Sequence, residues 1–249
     1  MVRSINWRVT AFTVVFFIVF VHLGFWQLDR EDEKVALLEA NAEAMARPPV
    51  GLAELEARDI GDLQNAGSRV VLYGRWENRW VLLDNRILKG RAGYEVLQLF
   101  RDATIEQPVL INRGYVPAGP HRLAAVDILF DASVTPGLVS IIGIPRFSRE
   151  AERSWLGSET MSNGVSLIQL ADAEQIGQVL SEPLYPVLIR LDEKDPMALP
   201  RHWPVTVMAP EMHRGYAVQW FLMAFAIVVM WGVFTWQQWR PQDEPRASS

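Results

Sequence analysis

Val9-Thr10-Ala11-Phe12-Thr13-Val14-Val15-Phe16-Phe17-Ile18-Val19-Phe20-Val21-His22-Leu23-Gly24-Phe25-Trp26-Gln27-Leu28 runs without a charged residue, and Gly215–Trp239 is a second such run. As helices, runs of this length extend about 30 Å and about 37 Å, enough to cross a hydrocarbon core of about 30 Å. All 29 acidic residues except Asp243 and Glu244 lie between the two runs, as do all 24 basic residues except Arg3, Arg8, Arg240 and Arg246. The pattern predicts a short N-terminus (residues 1–8), a transmembrane helix (9–28), a soluble domain (29–214), a second transmembrane helix (215–239) and a short tail (240–249). Trp7 and Trp26 bracket the first run, while Tyr216, Trp220, Trp236 and Trp239 bracket the second, as rings anchored at headgroup level would.

Arg3 and Arg8, with no acid beside them, favour a cytoplasmic N-terminus. The apolar run is longer than a signal-peptide core, and Leu23–Arg30 offers no small-residue cleavage site. Two spans then place the domain outside, on the periplasmic face of a bacterial inner membrane or the equivalent intermembrane-space face. An acidic domain lacks the electrostatic footprint for nucleic acid, so membrane lipid is the expected large-scale contact. Cysteine is absent, which excludes disulfides, thiolate metal sites and covalent c-type haem attachment.

Within the domain, Asp29–Met45 is rich in Ala, Leu and Glu and continues the first helix until Arg47-Pro48-Pro49 stops it. Residues 59–67 read as a loop. Arg69–Tyr73 and Trp80–Asp84 read as two strands of a hairpin turning through Gly74 and Asn78, followed by a turn at Gly90–Gly93. Tyr94–Phe100, Pro108–Val116, Val139–Pro145, Tyr185–Asp192 and Pro204–Met208 read as further strands. Residues 117–137 read as an irregular crossing with a short helix near Arg122–Phe130, residues 146–164 as exposed, and Asp172–Leu180 as a helix with an acidic first turn. The expected fold is α+β: two transmembrane helices flanking a mainly antiparallel sheet or small barrel.

His213 is the residue most open to chemistry. On a helix it shares a face with Tyr216, Ala217, Trp220 and Ala224. An imidazole above two aromatics and two alanines suits a flat, iron-bearing ring, with His213 ligating the metal. The same small residues equally suit close packing on the first span. His22, inside the first run, is a candidate second axial ligand, or a neutral histidine bonded to the other helix. His121 and His202 read as surface-loop residues.

Arg30, Arg86 and Arg113 are guanidiniums suited to a ligand's two carboxylates, or to pairing with Asp29, Asp84 or Glu95. Arg113 interrupts an apolar strand and so needs a partner or an open edge. Met208, Met212 and His213 form a weak copper(I) pattern that flexible packing explains as well. There is no Gly-rich phosphate loop, HExxH or GxSxG, so nothing points to an enzyme.

Four blocks resemble a known family, the Surfeit locus protein 1 family. They are Leu23-Gly24-Phe25-Trp26-Gln27-Leu28-Asp29-Arg30; Leu83-Asp84-Asn85-Arg86 with Gly93-Tyr94-Glu95-Val96; Val109–Pro117 with its Asn-Arg-Gly-aromatic-Val-Pro pattern; and His213-Arg214-Gly215-Tyr216-Ala217-Val218-Gln219-Trp220-Phe221. The resemblance implies a non-enzymatic assembly factor for haem-copper cytochrome c oxidase, acting where haem a enters the catalytic subunit. It also implies haem a as a transient cofactor ligated by His213, and the oxidase catalytic subunit and a haem a biosynthetic enzyme as partners. A scaffold that stabilises the oxidase subunit without binding haem is compatible with the same blocks. Gln98-Leu99-Phe100 replaces the family's usual Thr-Pro-aliphatic end, and Glu211-Met212 stands where asparagines are common. Residues 118–205 match loosely and receive no role.

Overall fold

The computed structural model describes residues 6–56, 68–119, 137–147, 159–160, 166–206 and 208–240. The chain divides into two compact units: Met1–Glu39 with Val205–Ser249, and Ala40–Pro204.

The first unit is a helical hairpin. Helix α1 (Trp7–Ala46) runs uninterrupted from the apolar run into the Ala/Glu-rich segment, whose end belongs to the second unit. The last helix, here α4 (Pro210–Trp239), opens with Pro210 in its first turn, where the missing amide proton has no intrahelical partner to lose. Both are long and apolar enough to cross a membrane, and only 11% of each apolar window is buried, unlike the core helix of a soluble protein. The helices are antiparallel: Trp231 Nε1 donates to Thr10 Oγ1 (3.0 Å) near one end, and Gln27 meets His213 near the other.

The second unit is built from β1 (Val50–Gly51), α2 (Leu52–Glu56), β2 (Val70–Leu88), β3 (Arg91–Asp102), β4 (Val109–Pro117), β5 (Val139–Phe147), β6 (Glu159–Thr160), β7 (Ser166–Ile168), α3 (Ala173–Leu180) and β8 (Val187–Leu191). Strands pair in the cycle β2–β3–β4–β8–β5 and back to β2, closing a five-stranded barrel, with β7 and β6 added along the far half of β2. Closure removes sheet edges. The sheet is mixed: β1–β2, β2–β7 and β4–β8 are parallel and the remaining pairs antiparallel. A parallel pair needs a crossover, and the β4-to-β8 connection supplies one through β5 and α3.

The barrel interior is packed by Val70, Leu72, Trp76, Phe100, Val109, Ile111, Ile141, Val187, Ile189 and Leu191. Trp76 meets Phe100 edge-to-face at 5.1 Å. Outside, α3 lays Ala173 and Ile176 over Val81, Leu83, Leu97, Leu99 and Leu110. Asp172 caps α3, its Oδ1 accepting from Gln175 N at 2.9 Å, and Ser181 ends it in the left-handed region. This double covering is why β4 is buried on both faces. Beyond α3, Glu182 and Glu77 bind Arg101, and Arg79 joins Glu182, which holds the Glu182 carboxyl below its usual range, chiefly through the hydrogen bond from Arg101.

Two expectations need correcting. The hairpin expected through Gly74 and Asn78 is a single strand, β2, whose two halves both pair with β3 across a bulge between Trp76 and Trp80. Gly74 is there for close approach, since a Cβ would lie 2.0 Å from Arg101 O. The real turn is Lys89-Gly90, with φ of 49° and 76°, the positive-φ pair that a two-residue hairpin requires. The strand expected at Pro204–Met208 does not form among its described residues, where Pro204 removes a ladder donor and helix α4 begins two residues beyond at Pro210. The short strands β1, β6 and β7 and helix α2 carry too little periodicity to be read from sequence. The helix expected at Arg122–Phe130, most of the exposed stretch at 146–164 and His121 lie outside the described residues.

Candidate functional site

The site centred on His213 is built where the two long helices meet. Along α1 the contact seam is Thr10, Thr13, Phe20, Gly24, Gln27 and Glu31, a run of three- and four-residue steps and their sums; along α4 it is His213, Ala217, Trp220, Ala224 and Trp231. Ala217 and Ala224 are almost fully buried, and Phe20 stacks on Trp220 with centroids 5.8 Å apart. Gly24 lets Phe221 cross: a Cβ there would sit 2.5 Å from the phenyl ring, which also meets Phe25 edge-on at 5.4 Å.

His213 Nδ1 lies 2.8 Å from Gln27 Oε1. A carbonyl oxygen only accepts, so the ring donates from Nδ1, and whenever the ring is neutral Nε2 carries the lone pair. One turn further along α1, Arg214 grips Glu31 with two guanidinium nitrogens. Glu31 is 5% exposed while Arg214 is largely in the open. A buried carboxylate therefore anchors α4 next to the imidazole, and Gln27 sets the ring's tautomer.

The sequence-predicted residues are only partly brought together. His213, Ala217 and Trp220 share the seam, but the alanines are closed against α1 and there make room for that helix. Tyr216 lies beside the seam, exposed. His22 is exposed and lies two residues, about 200° of helix, from the seam residue Gly24, so it does not join His213. Arg30 is exposed, lies 5.8 Å over the Trp26 ring and pairs with Glu33. Arg113 is in the second unit and 3% exposed, enclosed with Trp76 and Trp80 and bonded to Met197 O and Gln98 Oε1. It presents no open guanidinium. Arg86 is 4.0 Å from Glu95, the pairing expected for it. Gln27 and Glu31 are the residues that sequence reasoning missed as partners. Their four-residue spacing, opposite an adjacent His-Arg pair, is the signal that could have found them.

For an iron-bearing ring the donor atom fits and the shelf fits only in part. An imidazole oriented through Nδ1 by a neighbouring carbonyl, with Nε2 left for a metal, is how a ligating histidine is held. Arg30 remains an accessible partner for an acidic group, whereas Arg113 does not.

The glycine at the crossing makes a separate prediction. Gly24→Val should lower the thermal midpoint of the full chain in detergent, because overpacking a closed contact costs about 1–3 kcal/mol. Gly232→Val, at a helix position with open space, should leave it unchanged. Equal effects would mean that Gly24 is not a contact residue.

Comparison with known proteins places these features. A model of the SURF1 family matches residues 14–225. A SURF1-like protein of Rickettsia felis is 26% identical over 233 residues, covering 89% of this chain and 94% of its own length. One of Monosiga brevicollis is 23% identical over 244 residues (92% and 86%), and one of Rickettsia bellii is 24% identical over 236 residues (90% and 90%). With most of the first helix, the whole barrel and the first half of the last helix inside the matched span, the chain belongs to the SURF1 family.

Proposed function

We propose that this protein is a non-enzymatic assembly factor for haem-copper cytochrome c oxidase, assisting entry of haem a into the catalytic subunit from a bacterial inner membrane. Family membership supports the assembly role. The observation that carries the haem reading is the His213–Gln27 pair, which leaves Nε2 as a ligand atom beside two apolar helices. In this reading His213 holds the iron transiently, Tyr216 and Trp220 flank the ring, and Arg30 receives an acidic group of the macrocycle. Bound, the haem brings its own redox centre. The chain contributes one imidazole and an apolar wall. The positive-inside pattern supports a periplasmic barrel.

The test is purification from cells making haem a. The wild type should carry a haem a spectrum, and His213→Ala should abolish it. Gln27→Ala should weaken binding about 10- to 100-fold, as loss of a partner that orients a ligand does. A haem-free protein that co-purifies stoichiometrically with the oxidase catalytic subunit would instead favour a scaffold. An unchanged spectrum in His213→Ala would remove that residue from the site.

A further inference from the structure

The barrel unit carries a cleft that the haem reading leaves unused. It has a volume of about 380 Å³ and is lined by Arg86, Glu95, Arg190, Arg201, His202 and Trp203, among others. Strand β8 alternates, so Val187, Ile189 and Leu191 fill the barrel interior while Arg190 points outward. There the segment after β8 folds over it. The Arg190 and Arg201 guanidiniums lie 4.8 Å and 5.0 Å from the Trp203 ring centroid. Trp203 Nε1 donates to Glu95 Oε1 at 2.9 Å, which fixes the indole. Arg201 is committed to the carbonyls of Leu191 and Asp192.

Among the described residues the charges do not balance. Glu95 is shared among Asn112, Trp203 and Arg86, and among the described residues it is the sole acid lining the cleft. Arg86 and Arg190 each bury an Nε that is hydrogen-bonded to nothing among the described residues. Arg146, on the neighbouring strand, adds positive potential at Arg190, and burial with these like charges holds Arg190 down at about 10, still protonated at neutral pH. Asp192, Glu193 and Asp195 act on Arg201 instead. Arg86, Arg146 and Arg190 against Glu95 leave an excess of two positive charges. Two buried donors without an acceptor are costly, and the excess of positive charge around them favours an anion in the cleft.

We propose that this cleft binds a phosphate group, through the Arg86 and Arg190 guanidiniums with Arg201, His202 and Trp203 forming its wall. A phosphate monoester carries about −1.5 to −2 at neutral pH and has three acceptor oxygens, matching the excess charge and the forked donors. A single carboxylate would leave one cation uncompensated. The cleft is at the small end of ligand sites, which suits a head group rather than a large cofactor. The monoester headgroup of phosphatidic acid and free phosphate share this chemistry.

The experiment uses the full chain in neutral detergent, titrated calorimetrically with inorganic phosphate against chloride at equal ionic strength. Phosphate should bind and chloride should not. Arg190→Gln should weaken binding about tenfold or more, the loss of a charged hydrogen bond. Arg86→Gln, whose side chain is 40% exposed, should do the same and keeps the test decisive if Arg190→Gln does not fold. Arg91→Gln, an exposed change of equal charge, should have no effect. In nanodiscs, phosphate binding that is suppressed by phosphatidic acid but not by phosphatidylcholine identifies the lipid headgroup as ligand, and unchanged binding identifies free phosphate. Absence of phosphate binding, or equal weakening by Arg91→Gln, overturns the proposal. Neither result bears on His213.

Discussion

Replacing Gly114 by alanine should destabilise the barrel by about 4 kcal/mol or more, seen as a large fall in the urea midpoint of the full chain followed by near-ultraviolet dichroism. Gly114 sits at φ +123°, and a Cβ there would lie 2.5 Å from Leu199 O and 2.7 Å from Pro200 O. Both contacts are backbone, so neither can move as a side-chain tip would. The reason for the crowding is a bulge. Val96 pairs with Gly114 and Leu97 with Asn112, leaving Arg113 without a partner position. The loop before Arg201 is stitched onto that bulge by Leu199 N to Arg113 O and Tyr115 N to Pro200 O, both 2.7 Å. Backbone strain contributes about 1–3 kcal/mol, and separating the stitched chains exposes unpaired buried groups at about 1–3 kcal/mol each. Gly90→Ala is the control. Its φ is +76° but nothing lies within 4 Å of its Cβ, so it should cost only about 1 kcal/mol. Equal costs at the two glycines would refute the close-approach argument.

The bulge also shows how far sequence could be read. Val109–Pro117 was legible as a strand and its Asn-Arg-Gly as unusual, because a charge in an apolar run is conspicuous. The three residues act as one device: Asn112 Oδ1 accepts from Gly114 N and its Nδ2 donates to Glu95, Gly114 supplies the backbone angle, and Arg113 is turned inward. An expectation of carboxylate pairing failed for Arg113 because the charge is met by carbonyls and indole faces, which leave no signature in charge patterning. Gln98, a departure from the family pattern, is the acceptor for Arg113 and also donates to Glu77 O.

The helices were legible because uncharged length alone defines them. Barrel closure was legible only as an alternative to an open sheet, since it depends on β4 and β8 pairing across the 69 residues between Pro117 and Val187, and a parallel pair of short strands has no local mark. Reading β2 as a hairpin failed for a related reason: a bulge and a turn call for the same residues, and only the partner strand distinguishes them. At the helix pair, periodicity found the correct face of α4 but could not say what covers it. Alanines that would admit a macrocycle also admit a neighbouring helix.

Arg113→Ala should lower stability by about 3–5 kcal/mol, read from the same urea midpoint. The side chain donates from Nε to Met197 O at 2.8 Å and from Nη1 to Gln98 Oε1 at 3.1 Å, with Trp80 at 5.0 Å and Trp76 at 5.9 Å from the guanidinium. Truncation orphans the buried Gln98 Oε1 and the part-buried Met197 O, at about 1–3 kcal/mol each, and opens a void between two indoles. Relief from burying a cation offsets part of this. Burial is the main cause that pushes the Arg113 guanidinium down to about 10, with Asp195 opposing it. Arg113→Met fills the void and removes the charge but leaves the acceptors, so it should cost less than alanine. The sign of the linkage gives a sharper test. The folded value lies below the unfolded one, so the unfolded chain binds the extra proton only above about pH 10, and stability gained from losing it appears only there. Between pH 5 and 8 Arg113 is a cation in both states. The stability difference between wild type and Arg113→Met should therefore be flat across that range. A change of more than about 1.4 kcal/mol, one unit of pKa, would mean that a titrating partner rather than carbonyls and indoles holds the guanidinium.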